Sequence, residues 1–144
     1  MKRSIIITAV TATVLSFSAL TASANDSFID QLGFGNSVGG SQTGVNNLIG
    51  AIQTGAFNSA VSVQDGADNT AAIGQTGNFN GAATVQQGAR NQAGVGQFGS
   101  NHTSTTDQLG TDNVSATVQV GNGCNSDVTQ TGVGNVSAIV QTCP

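Results

Sequence analysis

The 144-residue chain contains no tryptophan, no tyrosine and no glutamate, and its single proline is the last residue. With only six phenylalanines, it lacks the large side chains that fill an ordinary globular core, so any interior must be built from small or polar residues. Positive charge is equally scarce. Lys2 and Arg3 stand at the N-terminus, and beyond residue 24 only Arg90 opposes seven aspartates, a net charge of −6 for that part of the chain. No cationic surface is available to displace phosphate counterions, which excludes nucleic acid as a partner. His102 is the lone histidine, and no Ser/His/Asp set or paired-carboxylate geometry repeats where a cleft could form. His102 and Cys124 would supply two metal ligands, too few for a structural zinc site. The composition therefore leads us to expect no enzyme, no cofactor, no metal and no small-molecule substrate.

One long apolar stretch exists, Ile5 to Leu20, preceded by Lys2 and Arg3 and followed by Thr21-Ala22-Ser23-Ala24. A charged start, an apolar middle and a small-x-small end make residues 1–24 a secretory signal peptide, cleaved before Asn25. A retained anchor is the competing reading, but the stretch is shorter than a usual membrane span. Residues 25–30 then form a short N-terminal segment and residues 31–144 a single repeat domain.

What fills the domain is a register. Gln31, Gln42, Gln53, Gln64, Gln75, Gln86, Gln97, Gln108, Gln119, Gln130 and Gln141 are spaced by eleven without exception, and only Gln87 and Gln92 stand outside the series. Glycine follows two residues after each glutamine from Gly33 to Gly132. Asparagine follows five residues after, at Asn36, Asn47, Asn58, Asn69, Asn80, Asn91, Asn113 and Asn135, with His102 and Cys124 taking two places in the column. A fixed short period without insertion or deletion signals a solenoid whose turns stack on one another. Gly-x-x-Asn suits a tight turn, and the β-branched stretch after each asparagine reads as a strand. Ten strands are predicted, from 36–42 to 135–141.

Alternate units differ. Nine residues after the glutamine, one set carries Ala51, Ile73, Val95, Thr117 and Ile139, and the other Gly40, Ser62, Thr84, Thr106 and Val128. The true repeat is thus a pair of eleven-residue units, two strands per turn, and the fold class is an all-β, cross-β solenoid of five turns. Because strand side chains alternate, the asparagine, the small residue two positions on, the ninth residue and the glutamine share the inward face. Stacked amides on that face form ladders, a known stabiliser of cross-β structure.

Cys124 and Cys143 are the only cysteines, in a chain expected to reach an oxidising compartment. Cys143 takes the glycine position of the eleventh unit, where the arc brings its ends close. An intrachain disulfide is the favoured pairing; two free thiols or an intermolecular bridge stay open. Arg90 lies between Asp68 and Asp112 in one column, as an exposed ion-pair ladder, and Phe57 and Phe79 stack in another. Asp65, Asp107 and Asp127, with the glycines Gly39, Gly40, Gly74, Gly94 and Gly96, are candidate gatekeepers that interrupt the strands against premature stacking. Simple solubilisation is the alternative for the aspartates.

Gln53-Thr-Gly55-Ala-Phe-Asn58-Ser-Ala60, Gln64-Asp-Gly66-Ala-Asp-Asn69-Thr-Ala71, Gln75-Thr-Gly77-Asn-Phe-Asn80-Gly-Ala82 and Gln86-Gln-Gly88-Ala-Arg-Asn91-Gln-Ala93 resemble the repeat of the curlins, subunits of bacterial curli amyloid fibres. The resemblance spans residues 31–141. It implies a secreted, self-polymerising subunit at the bacterial surface, used in adhesion and biofilm matrix. It also implies two partners, an outer-membrane secretion pore and a nucleator subunit. The chain departs from the pattern by serine in place of alanine at 104, 115, 126 and 137, and by a first repeat only six residues after the expected cleavage point. Five turns without a basic terminal repeat resemble a major fibre subunit; a minor, nucleating subunit is the alternative. A monomeric solenoid binding ice or a surface glycan is the other class of function, although the threonines fill no single column.

Overall fold

The computed structural model describes residues 24–144; the expected leader, apart from Ala24, lies outside the described residues. Eleven strands follow one another: β1 (Asp26–Phe34), β2 (Ser37–Val45), β3 (Leu48–Ala56), β4 (Ser59–Ala67), β5 (Thr70–Asn78), β6 (Gly81–Ala89), β7 (Gln92–Ser100), β8 (Thr103–Thr111), β9 (Val114–Asn122), β10 (Asn125–Val133) and β11 (Val136–Thr142). They alternate between two sheets. One holds β1-β3-β5-β7-β9-β11 and the other β2-β4-β6-β8-β10. Every pairing is parallel and offset by one full turn of two units, as in Gln53↔Gln75 and Gln64↔Gln86. The fold is the β-solenoid that the glutamine register implies. No helix among the described residues is long and apolar enough to cross a membrane.

Three expectations change. Strand β1 is an additional strand over the segment set aside as residues 25–30, giving eleven strands where ten are expected. Asn25 stands eleven residues before Asn36 and accepts the Asn47 N–H at 3.0 Å, so the asparagine column already includes it. Second, the turn falls within Gly-x-x-Asn as expected, but neither the glycine nor the asparagine makes it. The Gln-x-Gly segment continues the strand, and the chain bends at the fourth residue after each glutamine. There φ is 55° at Asn46, 56° at Phe57, Asp68, Phe79 and Arg90, 59° at Asn101 and 58° at Asp112. Left-handed backbone costs a non-glycine residue about 1–2 kcal/mol. The bend stays in the ladder, which offsets that cost: Phe57 N–H donates to Phe34 O at 2.9 Å, and Arg90 N–H to Ala67 O at 2.9 Å. The glycine column serves close approach between turns. A Cβ added at Gly77 would strike the carbonyl oxygen of Gly99, and the same holds along the column from Gly33 to Gly110.

Third, Gly39 and Gly40 in β2, Gly74 in β5 and Gly94 and Gly96 in β7 do not interrupt their strands. Parallel partners hold the backbone extended, one for the edge strand β2 and one on each side for β5 and β7. Gly74, Gly94 and Gly96 point outward, where their missing side chains hollow a shallow apolar groove on the six-stranded sheet, flanked by Ile52 and Val118.

The side-chain alternation matches the expected parity, buried at Ile49, Ala51 and Gln53 and open between them. The interior is thin and mostly polar. Among the described residues, twenty-two polar side chains are buried against ten apolar ones, so its cohesion rests on satisfied hydrogen bonds more than on apolar area.

Candidate self-assembly site

The glutamine amide is placed by strand parity on the inward face of each strand, and each of its groups is used. Nε2 of Gln53 donates to Oε1 of Gln75 at 2.7 Å, and Gln64, Gln75, Gln86 and Gln97 repeat this to the glutamine one turn on at 2.8–2.9 Å. The second proton crosses the interior: Gln53 Nε2 also donates to Ser37 O at 3.0 Å, and Gln86 Nε2 to Thr70 O at 3.0 Å. One side chain therefore ties its own sheet along the axis and ties the two sheets together. Gln53 through Gln119 are fully buried.

Asparagine works differently from a plain amide ladder. Asn58 Nδ2 donates to Gly77 O at 2.9 Å, and the Asn58 N–H donates to Asn36 Oδ1 at 3.0 Å. Amide-to-amide contacts supplement these at Asn58, Asn69, Asn113 and Asn135. Each asparagine thus satisfies the backbone left unpaired by the bend, where solvent would otherwise be needed.

His102 and Cys124 occupy this role with other chemistry. His102 is buried; Nδ1 accepts the Cys124 N–H at 3.1 Å and Nε2 lies 3.2 Å from Phe98 O. Both ring nitrogens are engaged by backbone, which fixes a neutral tautomer with the proton on Nε2. Among the described residues no cluster of three or more metal-ligating side chains exists. Cys124 is bonded to Cys143, with Cα atoms 5.6 Å apart and a sequence separation of 19. That separation equals the one from asparagine Nδ2 to glycine carbonyl, as between Asn58 and Gly77. The disulfide is a covalent replacement for that contact in the last turn.

The remaining sequence candidates divide by face. Asp65, Asp107 and Asp127 all point outward from the five-stranded sheet, in β4, β8 and β10. The outer face of the six-stranded sheet carries no charge from β3 to β11; its only aspartates, Asp26 and Asp30, are in β1. Arg90 makes a two-pronged pair with Asp112, at 2.7 and 2.8 Å, while Asp68 accepts from Asn46 Nδ2 at 3.3 Å instead. The hydrogen bond from Arg90 holds the Asp112 carboxyl below its ordinary value; any stabilisation from it is present above the carboxylate range and lost as pH falls through it. Both groups are exposed, so the pair contributes little. Phe57 and Phe79 stack at 5.1 Å between centroids, and Phe34 meets Phe57 edge-on at 5.4 Å.

Sequence reasoning missed one group of residues. Ser104, Thr106, Ser115, Thr117 and Ser126 bury hydroxyls that have no partner. The shift from alanine to serine along the column signals a more polar interior, but not that these hydroxyls stay unpaired.

The solenoid ends are chemically distinct. At one end β1 and β2 each have a free side; at the other β10 and β11 do. Because every glutamine Nε2 donates toward the C-terminal end, Gln31 and Gln42 retain an Oε1 that receives no ladder bond, while Gln130 and Gln141 donate only across the interior, to Val114 O and Asn125 O. Within the glutamine ladder, one end lacks donors and the other lacks acceptors. Large apolar side chains are exposed there as well, Leu32, Phe34, Val133, Val136 and Val140 each by more than two thirds.

No curated protein matches the chain. The family model for the curlin associated repeat matches it twice, over residues 44–77 and 78–110. These segments cover β3–β8 almost completely and contain the glutamine, glycine and asparagine columns described above. With its repeats matched and its turns stacked in the same register, the chain is a curlin-repeat protein.

Proposed function

We propose that the protein is a structural subunit of an extracellular, curli-like amyloid fibre, major-subunit-like, that grows by head-to-tail stacking of solenoid ends. The observation that carries this reading is the polarity of the ladder: acceptor-ended glutamines at β1 and β2 meet donor-ended glutamines at β10 and β11. Stacking of this kind pairs open strand edges and does not close, so it propagates. Head-to-head contact would set like groups against one another. Adhesion and biofilm matrix are the roles we assign to the fibre, with secretion through an outer-membrane pore and growth from a nucleator.

The test is incubation of the purified chain from Asn25 onward, diluted from denaturant, with thioflavin T and electron microscopy. Unbranched fluorescent filaments that seed fresh monomer are expected; a monomer that stays non-fluorescent for days refutes the reading. Asp65, Asp107 and Asp127 act in it as gatekeepers, since they place like charge on one outer face without entering the ladder. Asp107→Asn with Asp127→Asn then shortens the lag of fibre growth, and an unchanged lag assigns them to solubility alone.

A further inference from the structure

The two ends of the subunit are out of phase. Strands β1 and β11 both belong to the six-stranded sheet, and β2 and β10 are the edges of the five-stranded one. If a second copy kept its faces aligned, its β1 would pair with β11. Its β2 would then sit two strand spacings from β10, leaving room for one missing strand, about 4.8 Å of extra separation, in one sheet at every junction. Both strands flanking that gap would carry a row of unpaired backbone groups, each costly when shielded from water.

Turning the second copy by half a revolution about the solenoid axis removes the gap. Taking the fibre reading as its basis, we propose that successive copies stack with a half-turn, β1 of the incoming copy on β10 and β2 on β11. The register follows from continuing the ladder of the subunit: Gln31 falls on Gln130, Ile29 on Val128, Gly33 on Gly132 and Gln42 on Gln141. Strands of the two sheets run in opposite lateral directions, and the half-turn reverses direction, so the new pairs stay parallel. Gln130 and Gln141 gain the acceptors they lack. The Asn135 Oδ1, which has no donor in the subunit, receives the Asn36 N–H of the incoming copy as Asn113 receives the one from Asn135. Ile29, inward-facing yet 50% exposed, is covered by Val128.

The half-turn also alternates the outer faces. Along each side of the fibre, the apolar face with its glycine-lined groove gives way to the aspartate-bearing face once per subunit, about every 26 Å at the usual strand spacing. A continuous apolar stripe, the surface on which fibres would zip together sideways, does not form.

Position-specific cross-linking within fibres reads the stacking. Chains carrying Asp30→Cys are mixed with chains carrying Thr129→Cys, or separately with chains carrying Val140→Cys. The mixtures are polymerised without reductant, treated with a short thiol cross-linker, dissolved in formic acid and run on non-reducing gels. All three sites are exposed and outward, and Asp30 falls beside Thr129 in the half-turn but beside Val140 in the face-aligned stack. Dimers from the Thr129→Cys mixture, several-fold above the Val140→Cys mixture, are the expected result. The reverse pattern, equal yields, or fibres with no dimer in either mixture overturn the half-turn while leaving fibre formation standing. Absence of fibres from the unmodified chain removes both readings. Helical reconstruction of unmodified fibres gives a second check: a rotation per subunit of half a revolution plus the solenoid's own twist is expected, and a rotation equal to that twist alone overturns the proposal.

Discussion

Gln86→Leu is the most informative single substitution, because Gln86 sits mid-ladder and its neighbour Gln87 provides a built-in control. Leucine is close to glutamine in volume, so packing changes little. The amide it removes is fully buried, donates to Gln108 Oε1 at 2.8 Å and Thr70 O at 3.0 Å, and accepts from Gln64 Nε2 at 2.8 Å. Three buried groups then lose a partner, at about 1–3 kcal/mol each. Gln64 and Thr70 retain other bonds, which places the total near the lower part of that sum, about 3–6 kcal/mol. Gln87 is exposed, and Gln87→Leu should change stability by about 0.5 kcal/mol or less. Against a typical domain stability of about 5–15 kcal/mol, the first change leaves a marginal fold and the second leaves it intact. Guanidinium unfolding of freshly refolded, ultracentrifuged monomer, followed by circular dichroism, measures both. Equal midpoints for the two variants would show that the glutamine ladder does not hold the solenoid together.

Other substitutions probe separate parts of the structure. Gly77→Ala drives a methyl into the Gly99 carbonyl and abolishes fibre formation in the thioflavin assay, whereas Gly94→Ala, whose nearest neighbour would be Ser115 O at 3.9 Å, is tolerated. Ser115→Ala removes a buried hydroxyl without a partner and restores the alanine of the earlier turns; guanidinium unfolding should show a gain of about 1 kcal/mol. Reducing the Cys124–Cys143 bond releases a loop worth about 3 kcal/mol in chain entropy and frays β11, seen as faster amide exchange there. Cys124→Asn with Cys143→Gly replaces the bond by the ordinary asparagine-to-glycine contact and recovers part of the protection.

The glutamine register is legible because each unit supplies one strand and one bend, so the same residue type returns to the inward face on every strand. The second glutamine bond, across to the opposite sheet, is not: it depends on how closely the sheets approach, which the small residues from Ala60 to Ala93 allow but do not measure. The bend eludes propensity for a physical reason. Phe57, Phe79 and Arg90 are poor left-handed residues, held at positive φ by backbone bonds to the previous turn. Strand β1 is hidden because its unit lacks a preceding glutamine and glycine, though Asn25 is in phase. The columns of the two cysteines suggest their pairing; the 19-residue spacing becomes meaningful only beside the asparagine-to-glycine contact.

Mass per unit length tests most directly the claim that each subunit is a solenoid stacked end to end. Five and a half turns at the usual strand spacing advance about 26 Å. The residues from Asn25 onward weigh about 12 kDa, scaled from 14.2 kDa for 144 residues, so an unstained single fibre in dark-field electron microscopy should measure about 4.5 kDa per nanometre. A value of about 25 kDa per nanometre, the mass of one chain per strand layer, would contradict the stacked solenoid.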